Sequence, residues 1–166
     1  LEPIAAVLAE MHVDYELTDQ RMAVRPSRLI GARRITTGLW PGFPSDMVSL
    51  VTVLGTQANG ATLIHDWLYE LRLFAVDQLS GMGADLFLCD PHRVLVNGPR
   101  RLRGRSLDSR DIRSGMALIA AALAADDWRA RSPRYQGDVL QARLRSVDGV
   151  RSVASRLGCS VAETAV

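Results

Sequence analysis

Two segments 65 positions apart (111 − 46) restrict the fold of this chain more than any other feature: each places Ser and Asp ahead of a long apolar run. Ser45-Asp46 opens the run Met47 to Leu54, and Ser109-Arg110-Asp111-Ile112-Arg113 opens Met116 to Ala125. A helix that is apolar on every side must be buried, so two buried helices are predicted. Their surroundings repeat too. Helix, hairpin, Asp-bearing loop, buried helix and strand are read in 1–65 and again in 73–131, and the helix of a third, truncated copy in 138–147. A period above about 50 residues points to duplicated units of strands and helices rather than a thin solenoid. Each copy buries one helix and exposes another in part, which puts helices inside and sheets around them.

The individual elements follow from periodicity. Leu1, Ile4, Val7, Leu8 and Met11 mark an amphipathic helix, with Pro3 tolerated in its first turn. Val13–Leu17 and Arg21–Arg25 alternate as a hairpin, and a strand is expected at Arg34–Thr36. Ala58-Asn59-Gly60 stops the first buried helix, and Ala61–His65 reads as a strand. Leu73–Met82 is a second amphipathic helix, followed by a hairpin of Ala84–Cys89 and Arg93–Asn97. Ser106–Asp108 and Trp128–Arg131 are read as short strands, Asp138–Val147 as a helix, and the stretch from Gly149 to Val166 stays ambiguous.

The loop before the first buried helix is Gly38-Leu39-Trp40-Pro41-Gly42-Phe43-Pro44. Its prolines have fixed φ and bias Trp40 and Phe43 toward extended backbone. The loop is therefore stiff and delivers one carboxylate, Asp46, to a helix N-terminus, where free N–H groups and the dipole favour an anion. That carboxylate is either a cap or a functional group, and the pattern alone leaves both readings open.

Composition narrows the classes. The chain has 166 residues, 48% hydrophobic and 23% charged, enough for one domain with a real core. No apolar run reaches the length of a membrane span, and no charged-then-apolar leader is present. The chain begins without an initiator Met, and a start partway through a longer protein is one expectation. Every basic residue is Arg, which removes any lysine base or Schiff base and is explained most simply by coding bias. A net charge of +2 gives no composition-driven claim on nucleic acid. Cys89 and Cys159 form neither a disulfide framework nor a metal pattern, which favours a reducing cytoplasm. His12, His65 and His92 have no ligand spacing, so no metal is expected.

Several stretches together resemble the enolpyruvyl transferase family, in the branch that transfers the carboxyvinyl group to UDP-N-acetylglucosamine. They are Leu1–Ile4, Pro41–Met47, Tyr69–Arg72, Met82–Asp85 and Ser109–Arg113, with a weaker match from Gly137 through Leu144-Arg145. In order they span about residues 1–148 and resemble the C-terminal part of the family. The resemblance implies an α/β (α+β) inside-out barrel of repeated βαβαββ units, helices inside and sheets outside. Residues 1–148 would be a partial domain of about two and a half units, and 149–166 a C-terminal tail, with disorder one reading of it. The implied reaction moves the enolpyruvyl group of phosphoenolpyruvate to the 3-hydroxyl of UDP-N-acetylglucosamine, in peptidoglycan precursor synthesis, cell wall biogenesis, cell shape and the cell cycle. It needs no cofactor, and its partner is the missing N-terminal domain of the same enzyme, without which the fragment is inactive.

Carried onto this chain, the resemblance makes Asp46 the general base that contacts the 3-hydroxyl of the acceptor. A carboxylate can take the proton of a hydroxyl that attacks C2 of phosphoenolpyruvate. Leu68 would meet the UDP-sugar through its backbone, and Arg72 would line the cleft unless it only pairs with Glu70 or Asp77. Asp111 and Arg113 would position charged groups of the cleft, their other reading being a cap and a surface charge. Two departures stand out. Gln136 occupies the place of an arginine that grips the phosphoenolpyruvate carboxylate, and an amide cannot supply that charged, bidentate grip. Arg134 is the nearest guanidinium able to replace it. Leu71 stands where an asparagine is usual. Cys89 ends a strand and is expected to be a small core residue.

Three alternatives accompany this reading. A diverged relative could use another nucleotide acceptor, which Gln136 leaves open, or the chain could be a non-catalytic binding domain. Nucleic-acid binding through Arg93, Arg100, Arg101, Arg103, Arg105, Arg110 and Arg113 is disfavoured, because aromatics are few and Asp108 and Asp111 interrupt the stretch.

Overall fold

The computed structural model describes residues 2–69, 75–109 and 111–125, with the single positions 152, 155 and 156. The chain divides into two compact units, Leu1–Asp126 and Asp127–Val166. All the elements described below belong to the first unit. The predicted strand at 128–131 and helix at 138–147 lie outside the described residues, as does nearly all of the 149–166 segment.

Helix α1 (Glu2–Glu10) leads into a hairpin of β1 (Tyr15–Leu17) and β2 (Met22–Val24), which form a two-stranded antiparallel sheet. Strand β3 (Arg34–Thr36), helix α2 (Val48–Gln57) and β4 (Gly60–His65) follow, then α3 (Ala75–Gly81), β5 (Asp85–Asp90), β6 (Arg93–Gly98) and α4 (Ile112–Ala124). The main sheet has the order β3-β4-β6-β5. Strands β3 and β4 are parallel, and the rest of the sheet is antiparallel. A parallel pair needs a long crossover, and α2 provides it.

Helix α2 is the central element. Its sequence, VSLVTVLGTQ, is rich in β-branched residues that favour strands on propensity alone. Burial overrides that preference: Val48, Val51 and Val53 are all buried, each contributing about 1.5–3 kcal/mol on leaving water. Two buried threonine hydroxyls are satisfied within the helix, Thr52 Oγ1 donating to the Val48 carbonyl and Thr56 Oγ1 to that of Val53. Val48 and Val51 enter a core with Ile35, Ile64, Val94 and Val96, while Val53 enters a second core with Leu79, Met82, Leu102 and Leu118. Gly98, at the end of β6, lies so close beneath the C-terminal turn of α2 that a Cβ there would collide with the carbonyl oxygens of Ala58 and Gly55. The inner faces of β4 and β6 (Thr62, Ile64, Val94, Val96) cover the helix, so a helix does lie inside and a sheet outside.

Three expectations need correction. Ser106–Asp108 carries no regular structure; three residues with a single apolar side chain, Leu107, are too few to hold a strand against a core. Helix α4 is not buried all round: Ser114, Ala117, Leu118 and Ala121 are buried, whereas Ile112, Met116, Ile119 and Leu123 are exposed. Its apolar composition conceals one small-residue face packed on the second core and one large-residue face open to solvent. Cys89 is exposed rather than in the core. It sits on edge strand β5, where the pairing register with β6 shifts between Leu88 and Asp90, and such irregularities re-aim side chains.

Candidate active site

The duplicated order brings the starts of α2 and α4 side by side. Ser49 and Ser114, themselves 65 positions apart, place their Oγ atoms 3.4 Å from each other. Each lies three residues after its aspartate, so Asp46 and Asp111 occupy equivalent positions at adjacent helix ends.

The two carboxylates are nevertheless held differently. Asp111 is the N-cap of α4: with extended backbone (φ −139°, ψ 135°), it accepts from the Ser114 N–H at 3.0 Å and from Ser114 Oγ at 3.2 Å. This is an N-cap satisfying an orphan backbone donor. Asp46 lies within a turn of 3₁₀ helix, Ser45–Met47, that precedes α2. The capping positions there are Pro44 and Met47, and neither makes a side-chain cap bond. Arg113 links the two aspartates. Its Nε lies 2.6 Å from Asp46 Oδ1, and a terminal guanidinium nitrogen lies 3.7 Å from Asp111 Oδ1. The Asp46 side chain remains 60% exposed and that of Arg113 41% exposed, so the pair faces solvent.

The loop that presents Asp46 is tight. Gly38 N–H donates to the Phe43 carbonyl at 2.9 Å, and Gly42 N–H donates to that of Leu39 at 2.6 Å. A Cβ on Gly42 would sit 2.7 Å from the Gly38 Cα, so the chain can cross itself there only with glycine. Phe43 turns inward to the core, while Leu39 and Trp40 project at the tip.

Sequence reasoning missed Asp66. It directly follows β4, is 1% exposed, and accepts from Thr37 Oγ1 at 2.8 Å and from Ser45 Oγ at 2.6 Å. Its backbone N–H donates to the His92 carbonyl, and its own carbonyl oxygen lies 2.8 Å from His92 Nδ1. The available signal was a carboxylate one residue beyond the apolar pair Leu63-Ile64, after His65, where a buried charge requires partners. The partners themselves lie 29 and 21 residues away, where no local pattern leads.

Of the other expected site residues, Leu68 is half-buried in the bend after β4, two positions beyond Asp66. The structure thus gathers Asp46, Asp111 and Arg113 at one place. Arg72 and Gln136 lie outside the described residues. The arginine stretch is partly neutralised: Arg93 pairs with Asp90 and Arg100 with Asp85, both at 2.5 Å. Hydrogen bonding to Arg100 holds the Asp85 carboxyl below its ordinary range, and bonding to Arg93 does the same for Asp90. Among the described residues, no helix is long and apolar enough to cross a membrane.

The fold, with its buried, strand-covered helix, is that of the enolpyruvyl transferases. The enolpyruvyl transferase NikO from Streptomyces tendae superimposes with a TM-score of 0.68 at 26% identity, over 75% of this chain and 29% of that one. EPSP synthase from Acinetobacter baumannii shares the fold, with a TM-score of 0.53 at 12% identity. The particular relatives are narrower in kind. UDP-N-acetylglucosamine 1-carboxyvinyltransferase of Treponema denticola is 50% identical over 92 residues, and that of Borrelia garinii 36% identical over 131. These matches take in 55% and 74% of this chain but only 22% and 31% of the relatives, so the chain spans less than a third of their length. The family resemblance and the fold read from the sequence are thereby borne out. No family model matches the chain.

Proposed function

We propose that this chain is part of an enolpyruvyl transferase that moves the enolpyruvyl group of phosphoenolpyruvate to the 3-hydroxyl of UDP-N-acetylglucosamine. The observation that carries the reading is the half-identical stretch of 92 residues shared with a relative of that activity. In this account residues 1–148 supply about two and a half βαβαββ units of one domain and form one wall of a cleft. The second wall comes from a domain outside these 166 residues, and the reaction belongs to the cytoplasm.

Asp46 takes the proton of the acceptor hydroxyl as its oxygen bonds to C2 of phosphoenolpyruvate, whose C3 gains a proton. Loss of a C3 proton and of phosphate then restores the double bond. A general base of this kind contributes about 10²–10⁴-fold. Arg113 orients the carboxylate through Oδ1, and Asp111 holds the start of the helix that carries Arg113. Leu68 and Arg72 complete this wall beside the UDP-sugar.

Gln136 favours a second reading. Without the guanidinium expected at that position, the protein would be a diverged relative that uses another nucleotide acceptor, or one that binds without turnover. A phosphate-release assay with phosphoenolpyruvate separates these readings. The protein at its full encoded length is expected to release phosphate with UDP-N-acetylglucosamine, and the 166 residues alone to release none. Release with a different nucleotide acceptor only would support the diverged relative, and binding without release the non-catalytic reading.

A further inference from the structure

Among the described residues, the one buried carboxylate, Asp66, is tied to both ends of the loop before α2. Thr37 begins the segment and Ser45 ends it, and both hydroxyls donate to Asp66, one to each oxygen. At 2.6 Å the Ser45 bond has the length of a charge-assisted O–H···O⁻ bond, about twice as strong as a neutral one. Asp66 is itself fixed by the backbone: its N–H donates to the His92 carbonyl, and the preceding His65 carbonyl accepts from the Thr37 N–H at 3.0 Å. Trp67, the next residue, donates its indole N–H to the Thr37 carbonyl at 2.5 Å. Three consecutive residues at and just after the end of β4, His65, Asp66 and Trp67, thus hold Thr37, and the middle one also reaches Ser45.

We infer that Asp66 is a positioning residue: it clamps the loop 37–45 at both ends and so sets where the Asp46 carboxylate stands. The inference rests on the transferase reading only in naming what the clamp serves. Asp46 follows Ser45 directly, and its surroundings supply no helix-cap geometry of the kind that fixes Asp111. Its side chain is also mostly exposed, so packing does not fix it. The clamp supplies from below what packing does not supply from the sides. A buried carboxylate needs partners, and here both partners are the hinge points of one functional loop.

The test uses Ser45→Ala and Asp66→Ala in the protein at its full encoded length, with two readouts. The first is amide hydrogen exchange at Gly38 and Met47, whose N–H groups close the loop onto Phe43 and Pro44. Exchange there is expected to quicken by about tenfold or more, while the amides of the β4–β6 ladder keep their wild-type rates. The second is phosphate release, where kcat is expected to fall by about 10²-fold with the KM for phosphoenolpyruvate little changed, because a misplacement on the order of 1 Å has that cost. Ser45→Thr returns the hydroxyl and should recover most of the turnover lost in Ser45→Ala. Should Asp66→Ala not fold, Ser45→Ala alone decides the matter, since it removes one donor and leaves the buried carboxylate with Thr37. Loop exchange unchanged, or raised equally across the sheet, would overturn the clamp. Absence of phosphate release from the unaltered protein would instead overturn the transferase reading, while exchange would still decide the clamp.

Discussion

The starts of α2 and α4 are the same device used twice to different ends. Both place an aspartate three residues ahead of a buried serine, and the two serines nearly touch. At α4 the aspartate turns back and caps its own helix. At α2 a 3₁₀ turn comes first, the capping positions pass to Pro44 and Met47, and the carboxylate points outward to Arg113. The cause lies upstream. Asp111 is itself in extended backbone, whereas Asp46 follows a proline–glycine loop tied down at Thr37 and Ser45 by Asp66. Two copies of one unit can therefore use the same aspartate differently, one as a cap and the other turned outward to a guanidinium.

The comparison can be broken by substitution. The largest stability effect is expected at the capped start. Asp111→Ala removes the bond to the Ser114 N–H and should cost about 1 kcal/mol, a fall in Tm of roughly 2–4 °C for a chain of this size. Asp46→Ala, which removes no cap, should leave Tm within about 2 °C on the same grounds. Equal losses from the two changes in a thermal melt would erase the distinction.

Arg113→Ala sharpens the same contrast at smaller amplitude. Its ion pairs are exposed and long side chains lose entropy in forming them, so stability should drop by about 0.5 kcal/mol or less. Turnover should fall more, by about tenfold, because the orientation of Asp46 is lost. A melt and a kcat measured on one preparation check both.

The smallest effect concerns acid. Asp85 and Asp90 have carboxyls held below 3.8 by Arg100 and Arg93, so their contribution is present above that pH and is lost as pH falls through their lower folded values. Both lie in the β5–β6 hairpin, away from either helix start in the chain. Tm should thus decline below pH 3.8, and the double variant Asp85→Asn, Asp90→Asn should show a shallower decline. An unchanged slope would assign the acid response elsewhere.

Much of this architecture was legible in the sequence, because local periodicity and tertiary demand agree. The all-round apolar run after Asp46 is a buried helix as read, and short runs beside the turn residues at 58–60 and 90–92 located β4, β5 and β6. Legibility failed where a side chain's fate depends on distant groups. Helix α4 has the same composition as a buried helix, but which side stays open depends on what packs against it. Asp66 is one acidic residue after a strand until Thr37 and Ser45 arrive from 29 and 21 positions away. Asp46 and Asp111 look alike in the sequence, and only backbone geometry tells the cap from the outward carboxylate. Arg113 lies near both, a link that no local pattern shows.

The most direct test is phosphate release from phosphoenolpyruvate and UDP-N-acetylglucosamine by the full-length protein carrying Asp46→Asn, set beside Asp111→Asn. The account predicts that Asp46→Asn lowers the rate by about 10²–10⁴-fold at an unchanged Tm, while Asp111→Asn, still able to cap, keeps the rate within a few-fold. Near-normal release by Asp46→Asn would contradict the account and return Asp46 to the role of a structural turn residue.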